Sequence, residues 1–290
     1  MSLLAKFNLA LIVVFSVAMV PAGWISHTLL HRSARVQVIQ NARIMMETAK
    51  AVRGYTIQQV KPLIEDRLEE KFLPQTVPAY SATEVFNSLR ETYPEYEYKE
   101  ATLNPSNPRD RTTDWEADVV NEFRRDTERA EFIGERDTPN GRSLYLSHPI
   151  QITDPKCLAC HATPEEAPAS LVREYGPSNG FGWKLDEIVG AQIVSVPMSV
   201  PITMANNALR TLLIALAGVF VMTLVVLNLL LRFAVIGPLK RLAATADAVS
   251  RGEQGVPGFE VKGSDEVAVL AGSFSRMRIS LEKAMAMLDG

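Results

Sequence analysis

Two long uncharged runs constrain this chain more than any other feature. Phe7 to Leu30 reads FNLALIVVFSVAMVPAGWISHTLL without one charged side chain, and Thr211 to Leu231 is equally free of charge, closed by Arg210 and Arg232. Each meets the roughly 20 apolar residues that a helix needs to cross a hydrocarbon core, where backbone polar groups must be satisfied within the segment itself. The first run also admits a signal peptide cut after Ala22, because Val20-Pro21-Ala22 places small residues near the right positions. Its length, Pro21 beside that cut and the helical pattern that continues past it favour an uncleaved anchor. Lys6 precedes the first run, and Arg232, Lys240 and Arg241 follow the second, which puts both ends in the cytoplasm by the positive-inside rule. Arg32 and Arg35 pull the other way.

The stretch between the runs carries Cys157-Leu158-Ala159-Cys160-His161, the Cys-x-x-Cys-His attachment sequence of c-type haem. Two thiols separated by two residues match the two vinyl groups on one porphyrin edge, and the next residue lies where an imidazole ligates the iron. A redox disulfide or half of a zinc site uses similar spacing. The first should sit between a strand and a helix, whereas Asp154-Pro155 and Thr163-Pro164-Glu165-Glu166-Ala167-Pro168 make this a loop. The second needs four ligands, and beyond these two cysteines the chain offers only His27, His31 and His148. One covalent haem c per chain is therefore expected, held by Cys157, Cys160 and His161. Because c-type haem is attached outside the bacterial cytoplasm, the motif breaks the tie in orientation. The expected layout is a cytoplasmic N-terminus over 1–6, a first span over 7–30, a periplasmic domain over 31–208, a second span over 209–232 and a cytoplasmic module over 233–288, all in a bacterial inner membrane.

The net charge of −3 and the absence of a concentrated basic patch argue against a nucleic-acid partner. From Ser33 to about Lys71 a long helix is expected, bent near Gly54 and Pro62. Val38, Ala42, Met45, Ala49 and Val52 form an apolar seam on it, read as a parallel stalk contact in a homodimer or as packing on the chain's own sheet. Leu73 to about Arg136 reads as short helices and loops. In it Ser81-Ala82-Thr83-Glu84 resembles a capping box, Asn104 to Arg109 is turn-rich, and Asp114 to Arg129 is helical, with Trp115, Val119 and Phe123 on one face. Pro139-Asn140-Gly141 signals a hairpin before a strand over Arg142 to Ile150, and Gly190 to Pro197 is a further strand. Helix first, then antiparallel strands with an inserted loop, is an α+β pattern compatible with a PAS-like domain.

After the second run, Pro238 opens a helix with Leu239, Leu242, Ala246 and Val249 inward, and Gly252 to Gly263 breaks it. A second helix carries Val267, Leu270, Phe274, Met277, Leu281, Ala284 and Leu288. This unit, with Gly237-Pro238-Leu239 at its start and Ser264-Asp265-Glu266-Val267 opening the second helix, resembles a HAMP domain over about 233 to 288. The resemblance implies a parallel four-helix bundle in a homodimer that passes signals from the membrane to a cytoplasmic partner such as a kinase or cyclase. No such output region follows up to Gly290, so output is expected from a partner or a further domain. Lys99 to Pro105, Cys157 to His161 and Gly180-Phe181-Gly182-Trp183-Lys184-Leu185 resemble a bacterial family of PAS-like c-type haem domains, often joined to HAMP or kinase modules. That resemblance covers about 35 to 205 and implies a haem sensor rather than an enzyme.

The second axial ligand is left open by the sequence. His148 is the first candidate, on the apolar face of its strand and nine residues before Cys157, although it also reads as an ordinary hydrogen-bonded histidine. Met45 and Met46 on the stalk follow, then Met198 and Met204, although thioethers on an apolar seam commonly serve packing. An open position would suit a small gas. Arg53, Lys99, Arg109 and Arg111 are candidates for haem propionates, and Phe181 and Trp183 for its walls. The function expected is a membrane-anchored haem sensor of redox state or a small gas. The alternative is an electron-transfer cytochrome c with a periplasmic redox partner, for which the HAMP-like tail has no evident use.

Overall fold

The computed structural model describes residues 2–139, 141–253, 255–258, 263 and 265–288, apart from the side chains of 284–286 and 288. Asn140 of the expected hairpin turn, Ser264, and the side chains of Ala284 and Leu288 on the second seam lie outside the described residues. The chain divides into two compact units, Ser26–Ala208 and Met1–Ile25 with Leu209–Gly290.

The first unit is built on helix α1 (Leu3–Tyr55), which enters it at Ser26. The expected bend falls just after Gly54: a π-turn over Thr56–Val60 ends the α-helix, and a short α2 (Lys61–Ile64) follows with Pro62 at its start, where a missing N–H costs nothing. Four antiparallel strands, β1 (Glu97–Thr102), β2 (Phe132–Thr138), β3 (Gly141–Gln151) and β4 (Ile188–Pro197), form one sheet in the order β1-β4-β3-β2. Val38, Ala42, Met46 and Ala49 of α1 pack on one face, against Leu144, Leu146, Val194 and Val196, with Phe86 of α3 (Pro78–Arg90) beside them. The seam therefore serves the chain's own sheet. With those side chains enclosed, the seam is not the subunit contact that the sequence also allowed.

The opposite face takes α4 (Asp114–Arg125), whose Val119, Val120 and Phe123 meet Ala101, Ala191 and Ile193. Every residue of β4 is buried, as a strand covered on both faces requires. Two expectations fail here. The capping box belongs to α4, between Thr113 and Glu116, while Ser81 and Glu84 lie inside α3, which starts at Pro78. The region read as helices and loops contains β1 and most of β2, and α4 stops at Arg125. Strand β1 reads EYKEAT, so its charges hid it. They are accommodated by pairing: Glu100 is buried, salt-bridged to Arg53 and accepting a 2.7 Å bond from the Tyr98 hydroxyl, and Lys99 reaches Glu116 of α4 at 2.7 Å.

In the second unit the N-terminal part of α1 meets α7 (Ser199–Leu230). Phe15 stacks on Phe220 at 3.8 Å between ring centroids, and the side chains of Asn8 and Asn228 exchange hydrogen bonds of 2.9 Å. Interhelical amide pairs of this kind hold helices together where water cannot compete. Both helices are long and apolar enough to cross a membrane, with mean hydropathy of 2.3 and 2.7 over their most apolar stretches, none of it buried. A π-turn over Leu231–Ile236 leads to α8 (Gly237–Ser250), with Pro238 in its first turn, and α9 (Glu266–Leu288) packs back on it. Leu242 and Ala271 are buried between them, flanked by Ala246, Val249, Val267 and Phe274. Leu270, Met277 and Leu281 of the same seam stay exposed.

Candidate functional site

Asp154 accepts a 2.9 Å bond from the Lys156 amide and starts a tight turn over Pro155–Cys157, which runs directly into the single-turn α5 (Leu158–His161). Cys157 and Cys160 are three residues apart across this helical turn, the spacing that sets side chains on one face. Both thiols are free and partly exposed. Burial pushes each thiol up. Asp154 adds to the rise at Cys157, whereas Arg53 and Lys61 oppose it there and Lys61 opposes it at Cys160. Lys61 was missed by the sequence reading, and its place just past the bend at Gly54 was the available signal.

His161 is held on two sides. Its Nδ1 lies 2.6 Å from the Gly180 carbonyl oxygen, and its ring stacks on the Trp183 indole at 3.9 Å with planes 11° apart. A carbonyl only accepts, so Nδ1 carries the proton and Nε2 keeps a bare lone pair. Burial lowers the imidazole below its ordinary range, which keeps it neutral. Trp183 thus orients the imidazole, a sharper role than the wall expected of it.

The Gly180 carbonyl is itself fixed by the neighbouring loop. Gly180 has φ +86°, and a Cβ there would overlap the Ser106 side chain and come within 2.7 Å of the Ser106 amide nitrogen. Asn104 donates to the Phe181 carbonyl at 3.3 Å, and Arg111 donates to Asn179 Oδ1 at 3.2 Å. The amides of Gly182 and Trp183 bond back to the carbonyls of Ala162 and His161 at 2.8 and 3.2 Å. The 104–111 loop, the cysteine turn and the 179–183 loop therefore close on one another around His161.

The remaining candidates fall elsewhere. His148 sits on β3, with Nε2 3.5 Å from Glu131 Oε2, and Glu131 also accepts from Arg43. No hydrogen bond, ion pair or ring contact joins His148 to His161 or to either thiol among the described residues. Its Nε2 faces the Glu131 carboxylate, the arrangement of the hydrogen-bonded histidine that the sequence also allowed. Met46 is fully enclosed in the α1–sheet core and Met45 and Met198 nearly so. The Met46 thioether packs against the sheet here and has no open side. Met204 is exposed on α7. Of the cations considered for propionates, Arg53, Lys99 and Arg109 each hold a carboxylate, on Glu100, Glu116 and Glu84. Among the described residues no three of His, Cys, Asp and Glu converge as a metal cluster.

Asp110, in the turn that closes the 104–111 loop, is pushed from 3.8 up to about 6, first by burial, with Arg109 pulling the other way. A carboxyl raised on folding binds a proton that the unfolded chain releases. That contribution to stability is complete below pH 3.8 and lost as pH rises to about 6. Asp110→Asn is expected to stabilise the protein at neutral pH by about 2 kcal/mol and to flatten the fall in melting temperature over that window. Melting curves across the acid range check this.

Compared with known proteins, residues 31–197 match the family model described as Tll0287-like (Tll0287), and residues 230–283 match the HAMP domain. The two matches bear out the resemblances carried by the three outer motifs and by the helix–connector–helix segment. Among solved structures the chain is similar to one titled the cyanobacterial heme-protein Tll0287, at 16% identity, with 55% of this chain and 94% of that chain covered and a TM-score of 0.41. No curated protein matches the chain.

Proposed function

Because the chain belongs to the Tll0287-like family and carries a HAMP domain, we propose that it is a membrane-anchored haem sensor. The observation that carries this reading is the imidazole of His161, neutral, locked at Nδ1 by Gly180 and standing next to two free thiols in Cys-x-x-Cys-His order. The donor set fits a c-type haem. Cys157 and Cys160 would hold the porphyrin through thioethers, and His161 Nε2 would ligate the iron. The haem supplies an iron centre that takes up an electron or a small gas. His148 contacts Glu131 and Met46 is sealed in the core, so a haem held at His161 would keep room for an exogenous ligand.

The rest is done by the chain's own residues. The Nδ1–H of His161 transmits any change of charge on the imidazole to the Gly180 carbonyl. From Gly180 the chain reaches β4 at Ile188, with Asp186 and Ile152 bonded at 2.8 Å on the way. Strand β4 pairs with both β1 and β3 and leads through the buried Met198 into α7. A shift at Gly180 therefore acts on a strand buried on both faces, which cannot deform gradually. The HAMP segment is the two-state element that such a shift biases. Exposed Leu270, Met277 and Leu281 are covered in this reading by a second copy, completing a four-helix bundle that signals to a cytoplasmic partner. The outer unit lies in the periplasm of a bacterial inner membrane, and α8 and α9 lie in the cytoplasm.

The test is a set of visible and EPR spectra of the full chain, produced with c-type maturation machinery and embedded in lipid, when oxidised, reduced and exposed to carbon monoxide. A haem spectrum that responds to carbon monoxide and is unchanged in His148→Ala is expected. Colourless protein contradicts the reading, and a spectrum altered by His148→Ala contradicts the open position.

A further inference from the structure

The α4 face of the sheet is only partly covered. Beyond the first turn of α4 it opens into a cleft of about 380 Å³, within the size range of small-molecule sites. Its walls come from α3, β1, β2, β4, the first turn of α4 and the Arg109–Asp110 turn, and they share no residue with the cysteine turn or the 179–183 loop.

Charge inside the cleft is unevenly satisfied. Arg90, Lys99 and Arg109 each have a carboxylate partner, at 3.7, 2.7 and 2.5 Å. Arg136 has none within ion-pair distance among the described residues. Its guanidinium lies over the Trp115 ring, 4.1 Å from the centroid. Stacking of this kind satisfies the face of the guanidinium and leaves its edge N–H groups free, the fork that pairs with a carboxylate. The hydroxyl of Thr83, a residue only 9% exposed on another wall, is buried without a hydrogen-bond partner. A buried hydroxyl is normally satisfied, so this orphan gains a partner if it turns toward a ligand in the cleft.

We propose that this cleft is a second sensory site, which binds a small carboxylate through Arg136 and Thr83. Trp115 holds the guanidinium in place, so it is a positioning residue. Asp110, which lines the same cleft and is weakly paired with Arg109 at 3.6 Å, is available to an ammonium group if the carboxylate belongs to an amino acid. The site is separate from the thiols and His161, so the chain reads two chemical inputs.

Titration of the lipid-embedded, haem-loaded full chain by calorimetry with acetate, succinate, alanine and glutamate tests this, with sodium chloride as the ionic-strength control. Saturable binding of at least one probe is expected, weakened about tenfold or more by Arg136→Gln and severalfold by Thr83→Val, with the visible haem spectrum unchanged in both. Binding of alanine or glutamate but not acetate or succinate assigns the ammonium to Asp110, and Asp110→Asn then removes that preference. Absence of binding by every probe at about 10 mM overturns the proposal. Equal binding by wild type and Arg136→Gln overturns it as well, and the intact spectrum shows that the failure is not one of the haem site.

Discussion

Alanine at both Cys157 and Cys160 will give a protein from which every trace of porphyrin is lost on denaturation. The thiols are the only two sulfur nucleophiles in the chain, and both stand free on one turn. With both removed, nothing else can form a thioether. With one removed, the other still reaches its vinyl group, and the reduced spectrum shifts to longer wavelength because one vinyl stays conjugated with the ring. The fold tolerates the change: neither cysteine is fully buried, and neither belongs to the clusters that pack the sheet. Haem staining of denatured protein reads the result directly. Retention of covalent porphyrin in the double variant contradicts the assignment.

Gly180→Ala is expected to be the most damaging single change that leaves both thiols in place. Two effects add. A residue with a side chain at φ +86° is strained by about 1–2 kcal/mol, and its Cβ would enter the space of Ser106, whose backbone cannot move without disturbing the 104–111 loop. The carbonyl that holds His161 Nδ1 must then shift. Loss of such an outer partner typically weakens a metal–imidazole bond 10–100-fold. The expected phenotype is haem still covalently attached, a lower melting temperature and a spectrum of altered spin state. Gly182→Ala is the control. At φ +80° it carries the same backbone strain, but a Cβ there meets nothing within 4 Å. It should cost about 1–2 kcal/mol with the spectrum intact. Identical spectra for the two variants would show that the Gly180 carbonyl does not position the imidazole.

Much of the architecture was readable because the physics involved is local and periodic. The two long apolar helices are visible because no charge interrupts their runs, and Leu144 and Leu146 of β3 are visible because alternation with period two survives in the sequence. The thiols and His161 are readable from spacing alone. Strand β1 was not readable, since the charge of its buried Glu100 is matched by Arg53, 47 positions away. The stalk seam was ambiguous because Ala42 and Met46 suit a partner helix or a sheet equally well, and only the strands opposite decide. The contact between His148 and Glu131 was not legible, because the strand face of His148 is apolar and Glu131 precedes it by 17 residues from outside any strand. The Gly180 carbonyl left no trace in side-chain chemistry. The one cue was the glycine itself.

The central claim is that the chemical state of an iron at His161 Nε2 biases the packing of α8 and α9. The most direct measurement is the distance between spin labels at Leu270→Cys in paired copies of the haem-loaded, lipid-embedded chain, oxidised and then reduced. A change in the distance distribution is expected, and it should vanish in Gly180→Ala while the haem remains attached. Distributions that superimpose in the two redox states, and again with carbon monoxide bound, would contradict the account.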